Sequence, residues 1–272
     1  MEFIFGLGSG RCGTGTLADL LNKQKGICCF HEGGFCPWEK DLIAFYQTIV
    51  DLVNKATEMR IGNVAFYWKN YLSEIFRDFN NPKVIVLKRA KEKVVESFSS
   101  MYYDKNHWST VGGKNWEGRD PNESPLTVMF PKYDLCKKDA ISKYWEEYYN
   151  DGAIDYYLNK FPENIMLIRS EDLWKGEHAQ KRIFEFLEIP KSDMVFDASI
   201  WKHKRREEAP VVKIDKPIPE EFKNTELNYA LYGQAVDYAG LNKEVEMVVS
   251  DEEMAQIMAH PNIKKMLCNQ KS

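Results

Sequence analysis

Apolar positions in this chain fall in short dense runs separated by longer amphipathic stretches. Phe3 to Leu7, Ile27 to Phe30, Val64 to Tyr67, Val84 to Leu87 and Ile165 to Ile168 are brief, rich in Val, Ile and Phe, and without clean alternation. Strands buried on both faces read this way, so each run predicts a strand inside a covered sheet. Between them, Leu42, Phe45, Tyr46, Ile49, Val50 and Val53 recur at helical spacing. The stretches from Val94 to Tyr102 and from Ile183 to Leu187 predict helices too, the second closing before Pro190.

Strands that alternate with helices imply parallel pairing through right-handed crossovers. The expected fold class is therefore α/β, a three-layer α/β/α arrangement with a central, mainly parallel sheet. Ligands in such sheets sit beyond the carboxyl ends of the strands, which directs attention to the residues just after Leu7, Phe30, Tyr67, Leu87 and Ile168. The segment from Tyr103 to Asp134 breaks the pattern with Gly112, Gly113, Pro121, Pro125 and Pro131 and with Trp108, Trp116 and Phe130. Its length and aromatic content predict a binding loop or lid rather than a spacer.

At 272 residues the chain fits one domain spanning residues 1–272. Helical patterns at Leu227 to Tyr238 and Glu252 to Met258 mark a helical C-terminal region over about 220–272. A net charge of -4 speaks against general affinity for nucleic acid, so no nucleic-acid partner is expected and any phosphate site must be local. Gly6, Gly8 and Gly10 interrupt the first apolar run too early for a signal peptide or membrane span, which predicts a cytoplasmic protein. The cysteines, Cys12, Cys28, Cys29, Cys36, Cys136 and Cys268, are thinly spread and read as reduced thiols. Cys28, Cys29, His31 and Cys36 invite a zinc reading, but their spacing contains no C-x-x-C pair, and no metal is expected.

The first strand runs into Gly8-Ser9-Gly10-Arg11-Cys12-Gly13-Thr14-Gly15-Thr16 and then into the apolar start of a helix. A glycine-rich turn opening a helix presents free amides and the positive end of a dipole, so it favours phosphate. The flanking residues separate the families that use it. Gly8 and Gly13 have Walker spacing, but Thr14 stands at the lysine position, which argues against nucleoside triphosphate hydrolysis. Gly8, Gly10 and Gly13 also satisfy G-x-G-x-x-G, with Glu32 at the end of the second strand. A Rossmann-type NAD or FAD oxidoreductase is therefore one open reading.

A second motif supports another. Lys83-Val84-Ile85-Val86-Leu87-Lys88-Arg89 is a strand ending in basic residues, followed by a helix that carries Ser97. Together, Gly10-Arg11-Cys12-Gly13-Thr14-Gly15-Thr16 and the Arg89/Ser97 pair resemble the 5′-phosphosulfate loop and the 3′-phosphate motif of the PAPS-dependent sulfotransferases, most of all their carbohydrate and tyrosylprotein branches. Ile61 to Trp68 and Leu167 to Leu173 extend the resemblance over roughly residues 3 to 190.

The resemblance implies a P-loop NTPase-like fold, with 3′-phosphoadenosine 5′-phosphosulfate (PAPS) as co-substrate and adenosine 3′,5′-bisphosphate (PAP) as product. It implies a small-molecule or carbohydrate acceptor bearing a hydroxyl. Gly10, Arg11, Cys12, Gly13, Thr14, Gly15, Thr16, Arg89 and Ser97 would hold the nucleotide, Arg11 would also stabilise charge in transfer, and Glu32 would be the base, with His31 as the alternative. Trp108, Trp116, Tyr67 and Trp68 are candidates to stack on an acceptor, or to pack. Lys202, Lys204, Arg205 and Arg206 read as solvated surface, with a loop closing over the nucleotide as the alternative. A nucleotide-binding module without catalysis is the third open reading.

Overall fold

The computed structural model describes residues 1–33, 42–101, 108–109 and 131–197. Cys36, Cys268, most of the Tyr103 to Asp134 segment, the basic run at Lys202 to Arg206 and the helical patterns beyond it lie outside the described residues.

Five strands, β1 (Glu2–Leu7), β2 (Ile27–His31), β3 (Arg60–Val64), β4 (Lys83–Lys88) and β5 (Ile165–Arg169), form one sheet in the order β2-β3-β1-β4-β5. Every pairing is parallel. Central β1 sets Gly6 opposite Val64 of β3 and opposite Ile85 of β4. The connecting helices are α1 (Thr14–Asn22), α2 (Leu42–Lys55), α3 (Leu72–Asp78), α4 (Lys91–Met101), α5 (Lys137–Asn150), α6 (Ala153–Lys160), α7 (Ser170–Lys175) and α8 (Glu177–Phe186).

Strand alternation sorts the apolar side chains into two layers. Phe3, Phe5 and Leu7 of β1 and Val84 and Val86 of β4 meet residues of α2 to α6 on one face. Ile4, Ile85 and Leu87 meet α1, α7 and α8 on the other. Both faces are thus closed off from water, which is why the strands carry continuous rather than alternating apolar runs. The three-layer expectation holds, and the strand, glycine-rich turn and helix from β1 to α1 have a P-loop-like layout.

One strand expectation is corrected. The run from Val64 to Tyr67 is not a strand; β3 ends at Val64 and Phe66–Tyr71 form a 3-10 helix. Phe66, Tyr67, Trp68 and Tyr71 all enter the same core cluster. A strand would send alternate side chains to opposite faces, so only a helical turn can deliver all of them to one. The Trp68 indole N–H closes the turn by donating to the Asn63 carbonyl at 3.0 Å.

The helical layer is fastened to the sheet where β1 and β4 end. The buried Tyr149 hydroxyl of α5 donates to the Leu87 carbonyl at 2.6 Å and accepts from the Ser9 amide at 3.1 Å. Tyr149→Phe would strand both backbone groups, and a lost buried partner of this kind costs about 1 to 3 kcal/mol. A urea unfolding midpoint lowered accordingly, with an unchanged slope, is the expected result.

Candidate functional site

The carboxyl ends of β1 and β4 lie side by side, yet the helices that follow leave toward opposite faces: α1 packs in one layer and α4 in the other. This is the topological switch point of the sheet, the place where sheets of this class have their ligand crevice. The glycine loop and the β4–α4 turn are its two walls.

The loop is shaped by left-handed backbone at Gly10 (φ 82°), Arg11 (φ 52°) and Gly13 (φ 88°). Gly13 caps α1 with no side-chain bond, and its carbonyl accepts the first helical bond from the Leu17 amide. The amides of Thr14, Gly15 and Thr16 precede that first bond and stay outside the ladder. Thr14 and Thr16 are themselves buried. Arg11 is exposed, and its non-glycine left-handed backbone costs of order 1 to 3 kcal/mol, so it persists only where its surroundings fix it.

The two motifs meet at Arg11. The Arg11 Nε–H donates to the Ser97 hydroxyl at 3.0 Å, and Arg89 Nη1–H donates to the Arg11 carbonyl at 2.9 Å. Arg89 stands two residues before α4 and Ser97 ends its second turn, and both reach Arg11. The contact each makes is with the glycine loop. Arg89 is half-buried; burial lowers its pKa, Glu171 opposes that, and the neighbouring Arg11 charge lowers it further. Its Nε–H has no acceptor among the described residues.

At the neighbouring sheet edge, β2 ends at His31, whose Nε2 lies 3.0 Å from Thr14 Oγ1. His31 therefore belongs to the α1 side. Glu32 is past the strand in left-handed backbone (φ 50°), so strand alternation does not govern it as expected. Its charge contributes to raising the pKa of Tyr144, after burial, Cys12 and Tyr133. Tyr144 packs in the layer opposite α1. His31 and Glu32 stand next to each other at this strand end. Both are exposed.

Sequence reasoning missed Asn63. It is a buried polar residue in β3, and its amide embraces Gly33, donating from Nδ2 to the Gly33 carbonyl at 3.1 Å and accepting from the Gly33 amide at 3.4 Å. The Glu32 amide donates to the Val64 carbonyl at 3.1 Å. Together these bonds hold the strained turn that presents Glu32. A buried asparagine between Gly62 and Val64 was the only available signal. Ser170, Glu171 and Trp174 were also missed as site residues: Ser170 donates to the Cys12 carbonyl, Glu171 accepts from the Ala90 amide at 3.0 Å, and Trp174 packs on Gly13.

Three aromatic candidates resolve to packing: Tyr67, Trp68 and Trp108 are buried, with Trp108 stacked on Tyr144 at 5.0 Å. Trp116 lies outside the described residues. Among the described residues no group of three or more His, Cys, Asp or Glu could hold a metal, and no helix is long and apolar enough to cross a membrane.

Cys12 sits inside the loop, fully buried, and burial pushes its thiol up to about 11 despite hydrogen bonds with Tyr149 and Gly10. Its thiolate is thus about one part in a thousand at pH 8. Alkylation with iodoacetamide at pH 8, mapped by mass spectrometry, should label exposed Cys136 and leave Cys12 and Cys29 unmodified.

No family model matches the chain, and no curated protein matches it. Solved structures with a similar chain path include a sulfotransferase from Alicyclobacillus acidocaldarius, 15% identical over 73% of this chain and 85% of that one, with a TM-score of 0.46. Mouse sulfotransferase SULT7A1 complexed with PAP is 16% identical over 98% of this chain and 82% of its own, with a TM-score of 0.42. The sulfotransferase domain from the curacin biosynthetic pathway is 17% identical over 70% and 74%, with a TM-score of 0.43. Likeness at that level carries no argument about activity, which has to be argued from the side chains of this chain alone.

Proposed function

We propose that this protein is a PAPS-dependent sulfotransferase that moves a sulfuryl group to a hydroxyl acceptor and releases PAP. The observation that carries the reading is the junction of the two basic motifs, with Arg89 bonded to the Arg11 carbonyl and Arg11 bonded to Ser97. Two guanidinium groups share one crevice at the switch point, beside the free amides that open α1. Like charges so placed repel, and an anion with phosphates at two positions offsets that repulsion while accepting their hydrogen bonds. The residues fit such a nucleotide: the unused Nε–H of Arg89 offers a charged donor to the 3′-phosphate, and the amides of Thr14 to Thr16 offer donors to the 5′-phosphate.

In the reaction the acceptor oxygen forms a bond to sulfur as the bond from sulfur to the 5′-phosphate oxygen breaks. Arg11, exposed at the crevice mouth, supplies positive charge near the leaving oxygen, where negative charge grows. Glu32 takes the acceptor proton, held in place by the Val64 and Asn63 bonds that fix its turn. His31, bonded to Thr14, shapes the wall of the phosphate site instead.

The strand order weighs against the dinucleotide reading. In the Rossmann order the second strand adjoins the first, so its terminal acid reaches the ribose of a nucleotide on the glycine loop. Here β3 separates β2 from β1, which sets Glu32 one strand further away.

Calorimetry should show adenosine 3′,5′-bisphosphate binding at least about tenfold more tightly than 5′-AMP, since one charge-assisted phosphate contact is worth about 1.5 to 3 kcal/mol. Equal affinities would remove Arg89 and Ser97 from the reading. A panel of phenols and sugars incubated with radiolabelled PAPS then tests transfer itself; tight PAP binding with no labelled product would leave the non-catalytic module standing.

The base assignment has its own test. Glu32→Gln keeps shape and hydrogen bonding but loses basicity, so single-turnover transfer should fall by about 10²- to 10⁴-fold while PAP affinity stays at the wild-type value. His31→Ala should lose less turnover and more nucleotide affinity. The reverse ranking would move the role to His31.

A further inference from the structure

The turn that ends β5 touches both walls of the crevice. From the start of α7, Ser170 is fully buried and donates to the Cys12 carbonyl in the glycine loop, while Glu171 accepts from the Ala90 amide in the β4–α4 turn. Leu173, also fully buried, anchors the helix in the core. Trp174 follows at the spacing that puts it over Ser170 and Glu171. Its indole contacts both walls. A Cβ added at Gly13 would lie 3.1 Å from Trp174 Cζ2, and the Arg89 guanidinium carbon stands 4.9 Å above the ring centroid.

A guanidinium is a flat fork whose donors all lie in its own plane, so whatever fixes that plane decides where the donors aim. For Arg89 one edge is committed, Nη1 to the Arg11 carbonyl, and Nε is left without an acceptor among the described residues. One hydrogen bond leaves the group free to swing about its own axis; the indole face removes that freedom. Because Trp174 also seats against Gly13, the Arg89 plane and the glycine loop are referred to the same rigid surface.

We propose that Trp174 is a positioning residue that sets the preference for a nucleotide with a second phosphate, by holding the Arg89 fork in the plane from which it reaches that phosphate. The proposal rests on the reading of Arg89 as a phosphate ligand and adds to it a residue that touches no phosphate. Trp174 acts on the second phosphate through Arg89, so its removal weakens the bisphosphate more than the 5′-monophosphate, which feels only the contact of the indole with Gly13. The alternative is that the indole merely fills space, in which case its loss lowers stability and shifts both ligands equally.

The test is calorimetry with adenosine 3′,5′-bisphosphate and with 5′-AMP on the full chain, for wild type, Trp174→Ala, Trp174→Phe, Arg89→Ala and the double variant Trp174→Ala/Arg89→Ala, with thermal unfolding alongside. The ratio of the two affinities should fall about threefold to tenfold in Trp174→Ala, the range expected when a guanidinium loses an aromatic face, and recover in Trp174→Phe. In the Arg89→Ala background Trp174→Ala should not change the ratio further. A wild-type ratio above one that Trp174→Ala leaves unmoved, or an equal loss with and without Arg89, overturns the proposal alone. A wild-type ratio near one overturns the phosphate role of Arg89 and the proposal with it. If Trp174→Ala does not fold, Trp174→Leu, which keeps bulk without a ring, takes its place under the same criteria.

Discussion

The close approach of backbone at the carboxyl end of β1 is the constraint on which the rest of the molecule depends. A Cβ at Gly8 would lie 2.3 Å from the Cys12 sulfur and 2.8 Å from the Leu87 carbonyl oxygen, so only glycine lets the loop fold back against β4. That contact puts the loop within reach of Arg89. It also brings the Ser9 amide and the Leu87 carbonyl to the one Tyr149 hydroxyl, which ties α5 to both strands. On the far side Phe98 closes on Gly10, where any added Cβ would lie 2.9 Å from the ring. The second turn of α4 is thereby pressed onto the loop, and Ser97, its neighbour in sequence, meets Arg11.

This packing accounts for the electrostatics of the crevice. Arg89 is withdrawn from water enough for burial to lower its pKa, and the nearby Arg11 charge adds to that effect. Glu171 compensates in part, but it already accepts from the Ala90 amide, and its second oxygen is buried without a partner among the described residues. Stability is thus sacrificed at the switch point, and the anion proposed to bind there would offset that cost. Among the described residues, left-handed Arg11 and the unpartnered Nε of Arg89 and Oε2 of Glu171 come together at this point.

The turn after β2 follows the same logic. Glu32 adopts left-handed backbone without being glycine, and the Val64 and Asn63 bonds on either side of it hold that shape. Burying an asparagine in β3 makes sense only because its amide is satisfied by Gly33 and by the Tyr67 hydroxyl at 3.2 Å.

From the sequence alone, the fold class, four of the five strands and the glycine loop were legible, because burial on both faces and left-handed turns leave direct marks in residue type. The Arg89/Ser97 pair was singled out as well, from a strand-end arginine and a serine on the helix that follows. The third strand was misread: Phe66, Tyr67 and Trp68 suit a buried strand as well as a buried turn, and which one forms depends on the cluster they enter. That Arg11 is the meeting point of the two motifs, that Asn63 braces Glu32, and that Trp174 lies on Gly13 and Arg89 could come only from the tertiary structure. Those contacts join residues 30 to 161 positions apart, and no local pattern records a partner that the crossovers of the sheet bring in from so far along the chain.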